Sequence, residues 1–75
     1  MSFEENLNTL GQLARNQNTI DDFNEFAESM LTQNAEVLFN GPIADWDENM
    51  GRIKEIRALM QMQVNYLKEM SNEKD

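Results

Sequence analysis

Three stretches of this chain carry apolar residues at helical spacing, and polar breaks separate them. Phe3, Leu7, Leu10 and Ala14 recur at intervals of three and four, with Leu13 beside them, which is the period of one helix face. Ser2 opens the run and Glu5 follows three residues later, the capping-box pattern in which two side chains satisfy otherwise orphaned backbone N–H groups. A helix over about 3–17 is predicted, closing in the wholly polar Arg15-Asn16-Gln17-Asn18. Thr19 opens a second run, with Asp21 and Asp22 in its first turn, where acids complement the positive end of the helix dipole. At about 100° per residue, Ile20, Phe23, Ala27, Met30, Leu31, Val37 and Leu38 share one face. A helix over about 20–39 follows. Asn40-Gly41-Pro42 ends it, with Asn40 or Gly41 able to take a left-handed cap and Pro42 unable to continue the same helix.

The third run is the longest. Trp46, Met50, Ile53, Ile56, Met60, Val64 and Leu67 recur every three or four residues, an apolar seam of the kind that packs against another helix. Asp45 and Glu48 form a second possible capping pair, with Trp46 packed inward beside them. The predicted helix covers about 44–70, and the tail 71–75 is expected to fray. No strand alternation longer than a few residues occurs. The predicted fold is therefore all-α: an antiparallel hairpin of the two longer helices, joined through Asn-Gly-Pro, with the shorter N-terminal helix folded against it. All 75 residues are expected to form one small domain.

Composition sharpens this picture. Fourteen acids against six bases give a net charge of −8. There is no cysteine and no histidine, which excludes disulfides, Cys/His zinc sites, and Cys- or His-based catalysis. The negative field argues against direct nucleic-acid binding, and no apolar run approaches the roughly 20 residues that span a bilayer. The acidic start Met-Ser-Phe-Glu-Glu does not read as a signal peptide, so a cytoplasmic location is expected. A domain this short buries only about 60% of its unfolded surface, so association with a partner is favoured in advance. Charge is also segregated. Residues 18–39 hold five acids and no base, whereas residues 50–75 hold five bases and four acids. The acid-only helix would thus lie beside the one holding most of the bases.

Several residues invite a functional reading. Leu59, Met62 and Tyr66 recur on a second side of the third helix, with Met70 between the two faces. Either the first helix covers this side, or it meets another chain, and Met-rich apolar surface is adaptable. Arg57 falls angularly inside the main seam. It either snorkels to the edge and pairs with an acid, or marks an interface where a partner's carboxylate meets it. Asp21, Glu25, Glu28 and Glu36 form an acidic face, which is either an ordinary solvated surface or an imitation of a phosphate strand. Asp45-Trp46-Asp47-Glu48-Asn49-Met50-Gly51 superficially suggests a calcium loop, but an EF-hand needs glycine at its sixth position and glutamate at its twelfth, where this chain has Met50 and Ile56. No metal or cofactor is expected. Ser2, Ser29, Ser71, Tyr66, the lysines and the neighbours Glu25 and Glu28 are the remaining polar actors. Nothing predicts a cleft around them, and no phosphate-cradling glycine loop occurs, so an enzyme is not expected.

Residues 38–60 carry a recognisable pattern. Phe39-Asn40-Gly41-Pro42-Ile43-Ala44-Asp45-Trp46, followed by Met50-Gly51-Arg52-Ile53-Lys54-Glu55-Ile56-Arg57-Ala58-Leu59, resembles small helical-hairpin proteins encoded in the head and packaging gene clusters of tailed bacteriophages. The resemblance implies that Gly51 allows close helix approach, that Arg52 faces solvent, and that the chain serves virion assembly or host interaction. Its location would then be the host cytoplasm or the virion. The leading expectation is a non-enzymatic protein that docks through helical surfaces centred on Leu59, Met62, Tyr66, Met70 and Arg57. Its partner would be another copy of itself in a homo-oligomer or a larger viral or host protein. The alternative is an acidic inhibitor, a nucleic-acid mimic acting through Asp21, Glu25, Glu28 and Glu36 on a host defence or transcription protein.

Overall fold

The computed structural model of the chain describes residues 2–73, and within them every regular element is helical. Helix α1 spans Phe3–Ala14, α2 spans Ile20–Asn40 and α3 spans Trp46–Glu73, with short 3₁₀ segments at Gln17–Thr19 and Ile43–Asp45. The fold is all-α, a three-helix arrangement. The two longer helices run antiparallel: Ile20 lies beside Leu67 and Met70, whereas Met30 and Asn34 lie beside Asn49 and Arg52.

Helix ends follow local hydrogen bonding. Ser2 caps α1 as its sequence predicts, its Oγ accepting from the Glu5 N–H at 3.2 Å. The helix stops at Ala14, three residues earlier than expected. Asn16 takes an extended backbone, φ −138° and ψ 117°, and its Oδ1 accepts from the Asn18 N–H at 2.9 Å. Thr19 occupies the N-cap position of α2 but gives it no side-chain cap. Its hydroxyl turns back and donates to the carbonyls of Leu13 at 2.8 Å and Asn16 at 3.0 Å. It thereby satisfies a terminal carbonyl of α1 that the helix leaves orphaned. At the other end, α3 starts at Trp46, because Pro42 opens a 3₁₀ turn in which its carbonyl accepts from the Asp45 N–H at 3.1 Å. The helix then runs through Glu73, past the expected end. Of the tail expected to fray, Lys74 and Asp75 lie outside the described residues.

The turn corrects one expectation. No described residue has a positive φ, so neither Asn40 nor Gly41 takes a left-handed cap. Gly41 is extended at φ −93° and ψ 173°, and its N–H donates to the Val37 carbonyl at 2.7 Å. A Cβ there would stand 2.6 Å from that same oxygen. Glycine serves close approach at this point.

The core joins Leu10 and Ala14 of α1, Phe23, Ala27 and Met30 of α2, and Ile56 of α3. Phe3, Leu7, Leu13, Phe26, Leu31, Leu59 and Met62 pack around it. The first two helices thus turn their predicted stripes inward. The third does not. Its inward line is Asn49, Ile56 and Gln63, all buried and seven residues apart. Of the expected seam only Ile56 is buried. Ile53 and Leu67 are half-buried, and Trp46, Met50, Met60 and Val64 are exposed. The reason lies in α1, which lies along the Leu59 and Met62 side of α3. Those apolar groups turn toward α1, and the rest of the seam is carried out to the opposite side.

Candidate docking surface

The uncovered seam of α3 is the most distinctive surface of the molecule. Trp46, Met50, Ile53, Arg57, Met60, Val64 and Leu67 follow alternating steps of four and three, the spacing at which one helix meets another along a coiled-coil seam. Exposure reaches 42% at Trp46, 51% at Met50 and 42% at Val64. At the hairpin turn, Phe39 at 87% and Ile43 at 75% are also exposed. A run of aligned, large apolar side chains in water is unusual, because isolated exposed apolar residues are common but contiguous patches mark contact sites.

α1 faces away from this strip. It lines one groove with Glu55, Ala58, Leu59 and Met62 of α3, and another with Met30, Gln33 and Val37 of α2. Counting 100° per residue, those positions fall on one side of the hairpin layer and the strip falls on the other. The predicted contact residues therefore divide. Leu59 and Met62 pack on the core and line the α1 groove. Tyr66 and Met70 are half-buried. Arg57 is exposed within the strip, and the ion pair among the described residues lies elsewhere, between Glu48 and Arg52 at 3.0 Å. Trp46, Met50, Met60 and Val64 replace Leu59 and Met62 as the outward apolar groups. Their heptad spacing is visible in the sequence, where it predicts an inward seam, and the structure exposes them instead.

Two readings attached to the phage resemblance also change. A Cβ on Gly51 would meet nothing within 4 Å, so no helix approaches it. Arg52 is half-buried, pairing with Glu48 and holding its guanidinium 5.0 Å from the centre of the Phe3 ring. That contact ties α3 to the start of α1.

The acids Asp21, Glu25, Glu28 and Glu36 are all exposed on α2, away from the core stripe. Buried polarity is carried by amides. Asn34 and Asn49 donate from Nδ2 to the carbonyls four residues back, Met30 and Asp45, at 2.8 Å each. Among the described residues, Asn49 Oδ1 and Gln63 Nε2 find no hydrogen-bond partner. Asn34 and Asn49 line a cleft of about 270 Å³ together with Asn6, Gln33 and Arg52. It presents amides and one guanidinium already engaged by Glu48, with no nucleophile or base. Ser29 borders a shallow groove with Asp22 and Glu25, and Ser2 is occupied as a helix cap. Among the described residues no cluster of three acidic side chains is spaced to hold a metal ion, and no helix is long and apolar enough to cross a membrane. Against known proteins, no family model, no curated protein and no solved structure matches this chain.

Proposed function

We propose that this chain is a non-enzymatic interaction protein that docks onto a helical partner through the outer face of its hairpin. One observation carries this reading: along α3, Trp46, Met50, Arg57, Met60 and Val64 keep heptad spacing and are all exposed, on the side away from α1. Burying such a strip releases about 25 cal/mol per Å² of apolar surface, and the spacing suits another helix. A setting in phage virion assembly or host interaction rests on the resemblance of residues 38–60.

Photo-crosslinking in cells tests the docking reading. A photoreactive residue at Met50 or Val64 should yield covalent adducts, whereas one at Glu25, on the outer side of α2, should not. Adducts confined to position 25, or none from any position, would overturn it.

A second reading is supported by the exposure of all four acids on a helix that lacks bases: imitation of a nucleic-acid backbone toward a host protein. Salt separates the two. Affinity for such a target should collapse between about 50 and 200 mM salt, while apolar docking should change little over that range.

A further inference from the structure

We infer that the occupant of this face is a second copy of the same chain, set against the first by a two-fold axis running along the helices. The inference rests on the docking reading and gives it a partner and a geometry.

Charge chooses both. Counting 100° per residue, the exposed charges on the open face are Asp21 and Glu28 from α2, and Lys54, Arg57 and Lys68 from α3. Two copies can bring these faces together in two ways that keep the helices aligned. With the axis across the helices, α2 would stack on α2 and α3 on α3. Glu28 would then approach its own copy, and Arg57 its own copy, and like charges at contact distance disfavour a partner strongly. With the axis along the helices, α3 of each copy lies over α2 of the other. Neighbouring helices are then all antiparallel, as in an up-and-down four-helix bundle.

Height agrees with the match of signs. Ile20 lies beside Leu67, and Asn34 beside Asn49, which puts Glu28 within about a turn of the height of Arg57 along the antiparallel pair. A rotation about the long axis preserves height. Glu28 of one copy therefore meets Arg57 of the other, twice by symmetry, and Asp21 stands about one turn from the other copy's Lys68. Arg57, a charge set within an apolar seam and without an ion-pair partner among the described residues, gains a carboxylate. At the turn end, Phe39, Trp46 and Met50 of both copies come together.

The face is large enough. From Trp46 to Leu67 the strip runs about 32 Å at 1.5 Å per residue. The molecule measures 50 × 19 × 16 Å. Strip length times molecular width gives a footprint of roughly 600 Å² before side-chain relief, close to the ~800 Å² per partner of a standard stable interface.

Sedimentation equilibrium of the full chain over a range of concentrations is the test. A two-chain mass is expected. Glu28→Arg alone and Arg57→Glu alone should each weaken the dimer by about tenfold or more, since each places two like pairs at the contact. An equimolar mixture of these two variants should regain the two-chain mass, because one then carries two arginines and the other two glutamates at the meeting positions. Both sites are exposed, so circular dichroism should show unchanged helix. A one-chain mass at every concentration, single variants that associate as well as the parent, or a mixture that stays monomeric would each overturn the inference. Adducts to a foreign protein alone from positions 50 and 64 would also overturn it, while leaving the docking reading intact.

Discussion

Gly41 and Gly51 are the same residue in opposite circumstances. At Gly41 a methyl group would press against the Val37 carbonyl at 2.6 Å, backbone that cannot move without unwinding the last turn of α2. At Gly51 it would stand in open space within α3, where it would only remove backbone freedom from the unfolded chain. Gly41→Ala should therefore cost about 1–3 kcal/mol, and Gly51→Ala should add roughly 0.5–1 kcal/mol, both read from urea unfolding. The sequence pointed to the first glycine for a different reason, a left-handed cap, because a glycine after a helix and before a proline usually means that. Ser2 was legible since its partner, the Glu5 N–H, is only three residues away. Thr19 was not, since its hydroxyl reaches back six residues to Leu13. Local bonds can be read from spacing, but a bond set by how two helices meet cannot.

Among the elements, α1 and α2 behave as their patterns predict and α3 does not. Each of the first two has one apolar stripe and turns it inward. The third has two, and only one can face the core. Spacing alone ranked the Trp46–Leu67 seam first, yet the packed structure prefers a line through Asn49, Ile56 and Gln63, flanked by Leu59 and Met62. What decides the rotation is the combined demand of two neighbours, and this is a tertiary property. The inward line also carries two amides, whose polar atoms must find hydrogen bonds there, since a buried group left without one costs about 1–3 kcal/mol. The contrast between the two lines can be measured in dilute chain by chemical denaturation. Ile56→Ala should destabilise by about 2–5 kcal/mol, as for any large-to-small change in a packed core. Val64→Ala should change stability by no more than about 0.5 kcal/mol, as for an exposed position. Equal effects would mean that α3 is rotated the other way.

At the scale of the whole molecule, the hairpin and its shorter companion were readable because hydrophobic period, breakers and caps agree. For the candidate docking surface, the heptad spacing of the Trp46–Leu67 seam is readable in the sequence, and so is Arg57 as either edge charge or contact point, but which side of α3 faces outward is not. The structure makes the consequence plain. The longest helix, 28 residues, is anchored by one fully buried apolar residue, Ile56, while α1 and α2 supply the other five members of the core. Stability is therefore unevenly distributed, as local opening free energies generally are. In a lone chain, backbone amides of α3 beyond Ile56 should trade hydrogen for deuterium well before those of α2, a difference that mass spectrometry resolves by segment. Once a neighbour is seated, that order should narrow or invert, so the stretch that opens most readily in solitude becomes the one whose protection reports occupancy.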